Sequence, residues 1–213
     1  MIDIITPENK PHFLAELDAM HEMRYRVAVQ EWGWNIPNIE KGYDKDQFDT
    51  DETVYILGYD EEGRVKGCGR LNRTDMPHLL SEVFADQCEF GGVPASDKIM
   101  EFSRFIVDGD GLTSFQKLQL SLKISLGVTE YCVAQKMSHI TFLAYKATYT
   151  KGVVLWKTTP LGAPKYYEDD DETYIAGIAE VSESAVKRIA RFARVEAPIG
   201  QYRRMPSQHN VAA

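Results

Sequence analysis

Cysteine is scarce in this chain, with three in 213 residues, at positions 68, 88 and 132. An odd number without metal-type spacing argues against a disulfide-stapled scaffold and against a zinc centre, so reduced thiols in a cytoplasmic protein are expected. No apolar run approaches the length of a membrane span. The opening MIDIITPENK lacks a basic start followed by an apolar core, so no signal peptide is expected. His12, His21, His78, His139 and His209 form no close pair. The stretch DKDQFDTDE superficially resembles a calcium loop, but Phe48 and Asp49 stand where a ligand and a glycine are required. With no nucleophile elbow, P-loop or dinucleotide fingerprint either, the sequence predicts neither a metal nor a bound cofactor.

Positive charge is also in deficit, at a net −8. Residues 1–110 hold 23 Asp and Glu against 11 Lys and Arg, which makes nucleic acid a poor partner. The second half is net basic and could meet an anionic partner through Lys117, Lys123, Lys146 or Lys151.

What the chain has is 44% hydrophobic residues arranged in alternating periods, enough for one globular core. MIDII reads as a first strand, followed by a helix with Thr6 as cap, Pro7 at its first position and Phe13, Leu14, Leu17 and Met20 as its apolar stripe. EWGWNIPNIEKGYDKDQFD is long, aromatic and acidic, and reads as an ordered loop. TVYILGYDEEGRVKGCGRLN predicts a hairpin turning at Glu61–Gly63. PHLLSEVF reads as a short helix and KIMEFSRFIV as the central strand. The longest helix follows, with Phe115, Leu118, Leu122, Leu126 and Val133 near one face. HITFLAY, GVVLWKTT and ETYIAGIAEV read as later strands, and SESAVKRIARFARV as an amphipathic helix capped by Ser182 or Ser184. Strands interleaved with helices, plus an early hairpin, predict an α/β sandwich with a mixed sheet. The domain is expected to span residues 1–197, with 198–213 a polar, frayed tail.

The central strand poses a problem. Glu101 and Arg104 stand three positions apart in an apolar run, so a regular strand would point them to opposite faces; a β-bulge between them, or an Arg104 reaching around the strand end, would bring both to one side. Charges in such a strand need partners or water. Other charged and aromatic candidates are Arg24 at a helix end, Trp34, the Asp46–Asp49 pair, and Arg70 after Gly67 and Gly69. Each alone has an ordinary reading: helix decoration, core plug, turn acids and a solvated strand end.

Their order and spacing carry more. Arg24, ten residues to Trp34, Asp46-x-x-Asp49, Arg70 ending a strand, then Glu101-x-x-Arg104 followed by Phe105 resembles the acyl-homoserine lactone synthases, the bacterial autoinducer synthases of quorum sensing. The resemblance is specific over residues 1–107, and beyond that rests on the alternation of elements. One departure is Ala28, where the family usually has an aromatic; Trp32 could compensate.

The resemblance implies a three-layer, N-acetyltransferase-like fold. It implies an acyltransferase that joins S-adenosylmethionine (SAM), a substrate and not a cofactor, to an acyl thioester and releases methylthioadenosine. Glu101 would be the base, directly or through a water. Asp46 and Asp49 would hold the cationic end of SAM or pair with Arg24 and Arg70, and Arg104 would pair with the carboxylates. Trp34 and Phe105 would wall the site, with Ser103 beside them. Thr141 would line the acyl tunnel, where a Thr tends to accompany 3-oxo chains. The donor would be an acyl carrier protein or acyl-CoA.

Two other readings stand beside this one. An acetyl-CoA-dependent N-acetyltransferase of the same fold would need a pyrophosphate loop after the central strand. That junction here is VDGDGLTSFQK, whose Asp108 and Asp110 would repel the phosphates. A non-catalytic binding domain would not need the full charged set.

Overall fold

The computed structural model describes residues 1–168 and 171–201. The strands are β1 (Ile2–Ile5), β2 (Val54–Tyr59), β3 (Val65–Arg73), β4 (Ile99–Val107), β5 (His139–Tyr145), β6 (Thr158–Pro160), β7 (Lys165–Tyr167), β8 (Glu172–Glu180) and β9 (Gly200–Gln201). The helices are α1 (Leu14–Arg24), α2 (Leu79–Glu82), α3 (Ser114–Ala134), α4 (Lys146–Leu155) and α5 (Glu183–Ala193). A π-helical turn, Tyr25–Glu31, continues α1.

The strands form one mixed sheet in the order β6-β8-β5-β4-β3-β2-β1-β9, with β7 also paired to β8. On one face α3, α4 and α5 bury Ile124, Leu126, Trp156 and Ile189 against Ile4, Ile56, Leu71, Phe102 and Ile140. On the other, α1 and the π turn bury Leu17, Met20 and Val27 against Ile5, Tyr55, Leu57 and Ile106. Alongside, Leu80 of α2 packs with Leu161 and Ala176. The result is the α/β sandwich with a mixed sheet that the sequence predicts, in the three-layer form that the resemblance implies.

Two features of β4 create the site. First, β4 and β5 pair in parallel only at Ile99↔His139, Met100↔Ile140 and Glu101↔Thr141. Past that point β4 stays with β3 to Val107, and β5 stays with β8 to Tyr145. A wedge therefore opens between two strands joined by a long crossover helix, the kind of gap that receives ligands in α/β sheets.

Second, the β3–β4 register runs Cys68↔Ile106 and then Arg70↔Ser103, so β4 carries one residue more than its partner there. Arg104 takes φ +51° at this bulge, in the left-handed region. The extra residue flips the alternation of faces. Glu101 and Ser103 before it, and Arg104 and Ile106 after it, lie on the α1 face. Phe102, Phe105 and Val107 lie on the α3 face. The two misplaced charges of the central strand thus share a face. Opposite the bulge, a Cβ on Gly69 would lie 2.5 Å from Cε2 of Phe102.

Several local expectations fail. No helix starts at Thr6: residues 7–9 turn, Lys10–His12 is a 3-10 turn and α1 begins at Leu14. Leu14 is exposed, as are Phe115 and Leu118 of α3, because the buried stripes lie on other faces of those helices. GVVL extends α4 instead of opening a strand, and β6 holds only Thr158–Pro160. Gly200–Gln201, at the start of the expected tail, pair in parallel with β1. Residues 202–213 lie outside the described residues.

Adding a methyl where Phe102 packs should push that ring out of place. Gly69→Ala is expected to lose about 1–3 kcal/mol of stability in urea unfolding. A variant as stable as the parent would show that Phe102 does not fix the bulge.

Candidate active site

Three acids from the loop before β2 meet three arginines from α1, β3 and β4. Asp44 Oδ2 accepts from Arg24 Nε and from Arg104 Nε, both at 3.0 Å. Asp49 accepts from Arg24 Nη1 at 2.8 Å and from Arg70 Nη1 at 3.0 Å. Asp46 accepts from Arg70 Nη1 and from Arg104 Nη2, both at 2.6 Å. Neutral donors complete the set: Tyr55 O–H to Asp49 at 2.9 Å and the Phe48 N–H to Asp46 at 2.8 Å. Arg70 Nε donates to Ser103 Oγ at 3.0 Å. The formal charges cancel, which is what burial of six ions demands.

The electrostatics follow. Burial alone would raise the Asp49 carboxyl, but Arg24 and Arg70 outweigh it and hold the group far below the usual carboxylate range. Asp44 is held low against its own burial by Arg24 and Arg104. Arg24 is fully buried, yet Asp49 and Asp44 raise it well above its ordinary value. Arg104 is pulled down by burial and by Arg70 and Arg24, with Asp44 and Asp46 holding it charged. The oxygens of the three carboxylates converge within 4.8 Å of one another, a geometry that could hold a cation, but here each faces guanidinium groups.

Glu101 stands outside this lattice, on the same face. It is 2% exposed, and its carboxylate accepts from the backbone N–H groups of Leu80 at 2.6 Å and Leu79 at 3.2 Å, in the first turn of α2. Thr141 is its direct neighbour across the last β4–β5 pair, and the buried Thr141 hydroxyl has no hydrogen-bond partner among the described residues. The same holds for Arg70 Nη2.

Trp34 closes the site from above. Its backbone N–H donates to Ala28 of the π turn at 2.9 Å, and its indole N–H donates to the Tyr145 hydroxyl at the end of β5. One face of the ring lies over the Arg104 guanidinium, 5.7 Å from carbon to centroid, and Trp32 packs edge-on at 5.4 Å.

The structure therefore brings together Arg24, Asp46, Asp49, Arg70, Ser103, Arg104 and Trp34, with Glu101 and Thr141 beside them. Phe105 is the exception. It lies across the sheet against Phe102, at 5.3 Å between centroids, because the bulge flips the alternation. It does not share a wall with Trp34. Arg24 is fully buried and so is no surface decoration. Asp44 was missed, although it bridges two arginines. Its signal was the repeat Asp44-x-Asp46-x-x-Asp49, of which only the last two acids were singled out.

These features define a class: a mixed-sheet α/β sandwich with a buried arginine–aspartate lattice on β3 and β4 beside the parting of two parallel strands. The architecture alone is shared with an N-acetyltransferase-like structure from Lactobacillus plantarum (TM-score 0.54, 16% identity, covering 85% of this chain and 99% of that one). Residues 11–189 match the Autoinducer synthase family model, and the chain belongs to that family.

Among curated relatives, an acyl-homoserine-lactone synthase of Ralstonia solanacearum is 40% identical over 88 residues, 41% of this chain and 43% of that protein. The matched region thus spans under half of that relative. An isovaleryl-homoserine lactone synthase of Bradyrhizobium diazoefficiens is 29% identical over 173 residues, 79% of this chain and 75% of that protein. The structure of BjaI, a CoA-dependent acyl-homoserine lactone synthase, with SAM and isopentyl-CoA matches with a TM-score of 0.85 at 25% identity, covering 95% of this chain and 92% of that one.

Removing one buried partner strands the other charge. Asp44→Ala is expected to cost about 3–5 kcal/mol in chemical unfolding. A loss of under ~1 kcal/mol would show that the lattice does not need Asp44. The acids also set a pH limit. A carboxylate whose folded-state pKa is depressed contributes stability above its unfolded pKa and loses it as pH falls through the folded value. Asp44 and Asp49 are both depressed, so stability should hold at neutral pH and fall steeply below about pH 4. Tm measured from pH 7 to pH 3 checks this.

Proposed function

We propose that this chain makes an N-acyl-L-homoserine lactone in the cytoplasm from SAM and an acyl thioester, releasing methylthioadenosine. The observation that carries this reading is the position of Glu101. It is the last β4 residue paired to β5 before the wedge opens, on the face that carries the arginine–aspartate lattice. Family membership and the match to BjaI support the same chemistry.

The residues support a sequence of two bond-forming steps. The SAM amine loses a proton to Glu101, directly or through one water. Its nitrogen attacks the thioester carbonyl, and the thiol leaves. The SAM carboxylate oxygen then attacks the γ-carbon, methylthioadenosine departs with the carbon–sulfur bond pair, and the lactone closes. Sulfonium is already a good leaving group, so positioning carries this step.

Arg70 Nη2, buried and without a partner among the described residues, would meet the SAM carboxylate. Asp46 would stand nearest the cationic end of SAM. Trp34 would cover the SAM side, and Phe105 would border the wedge from the acyl side. The Thr141 hydroxyl would bond an oxygen on the third acyl carbon. The likeness to BjaI favours a CoA thioester as donor, and an acyl carrier protein would present the same reacting group.

Mass spectrometry of culture extracts from a host expressing the chain should find an acyl-homoserine lactone. Glu101→Gln keeps an acceptor for the α2 N–H groups but not a base, so lactone output should fall about 10²–10⁴-fold with the fold intact. Near-parental output from a folded Glu101→Gln protein would remove Glu101 from that role.

A further inference from the structure

The loop joining β4 to α3 delivers a strand end to the N-terminus of a 21-residue helix. Such a place suits phosphate, because backbone N–H groups and the helix dipole converge there. In this loop the chain places a buried carboxylate of its own. Asp108 is 1% exposed. It accepts from Arg26 Nη2 at 2.7 Å, from Lys66 Nζ at 2.7 Å and from the Asp110 backbone N–H at 2.9 Å. Lys66 Nζ also donates to the Asp110 carbonyl at 2.9 Å, and Arg26 Nη1 to Glu31 at 2.9 Å.

Three N–H groups of this segment are likewise committed. That of Leu112 donates to the Gly109 carbonyl at 3.1 Å, that of Thr113 to the Gln116 side chain at 2.9 Å, and that of Gln116 to Thr113 Oγ1 at 3.2 Å. Lys117 folds over Gly109, with Nζ 3.1 Å from where a Cβ would stand. Arg26 and Lys66 thus face Asp108, and Arg26 also meets Glu31.

Distance makes this loop relevant to the donor. Asp108 lies seven residues along β4 from Glu101, roughly 20 Å of strand, comparable to an extended pantetheine arm. A donor whose thioester reached Glu101 along β4 would bring its phosphate end to this loop.

We propose that Asp108 sets donor specificity by acting as an internal anion: it holds Arg26 and Lys66 away from the pyrophosphate of coenzyme A, so the acyl-pantetheine arm alone carries recognition. The proposal rests on the synthase reading for the identity of the thioester. Its physical basis is the buried carboxylate. Drawing both cations off to an incoming phosphate would leave Asp108 unpaired and desolvated, which costs more than a half-exposed ion pair returns.

Binding by titration calorimetry tests the proposal without turnover. Coenzyme A and pantetheine are expected to bind the full chain with dissociation constants within about threefold of each other. A larger preference for coenzyme A, or no measurable binding of pantetheine, overturns the proposal. Asp108→Asn, checked for folding by circular dichroism, frees the two cations. It should tighten coenzyme A several-fold while leaving pantetheine unchanged, and an unchanged ratio in a folded variant would also overturn it. Absence of lactone from either acyl-CoA or acyl-pantetheine with SAM would count against the synthase reading, while the two affinities decide the role of Asp108 independently.

Discussion

Asp44 between two guanidiniums ties the loop before β2 to α1 and β4 at once. The loop before β2 has little regular structure of its own, beyond one isolated bridge between Glu40 and Tyr43. What places it is Asp44 on Arg24 and Arg104, Asp46 on Arg70 and Arg104, and Asp49 on Arg24 and Arg70. Each acid touches two arginines and each arginine two acids, so no pair can slip without breaking another. A greasy core of equal volume could be as stable. The alternating ion pairs instead tie three separate points of the loop to α1, β3 and β4.

The backbone is bent to serve this lattice. A π turn carries Arg24 at its entrance and presents the Ala28 carbonyl to Trp34, and such turns cluster at functional sites because they break the regular helical period. The bulge at Arg104 does the same for β4. A non-glycine residue at positive φ costs on the order of 1–3 kcal/mol and persists only when its surroundings over-determine it. Asp44, Asp46 and the Trp34 ring supply that constraint.

Element types were largely legible in the sequence, because period-two and period-3.6 patterns report local backbone directly. The hairpin, the central strand and the Ser182 cap of α5 appear where the pattern puts them. GVVL was misread because β-branched residues suggest a strand, while packing of α4 against β5 and β8 decides otherwise. The site was legible as a set of residues at family spacing, not as a geometry. The two charges in EFSRF leave a bulge or an Arg104 reaching around the strand end as the ways to one face; the structure has the bulge, and the place of Phe105, which the spacing leaves open, depends wholly on it. Asp44 escaped notice because a third acid in an acidic loop looks like solvated surface until Arg24 is known to be buried.

The division of labour on the α1 face follows from what each acid already holds. Protonating Asp44 or Asp49 would leave a buried guanidinium short of a counter-charge and would loosen the loop. Among the described residues Glu101 makes no ion pair. Its partners are backbone N–H groups of the short helix α2, which fix its position. Evenly balanced charges therefore build the scaffold, and Glu101, which has no ion-pair partner among the described residues, stands apart from it where β4 and β5 part.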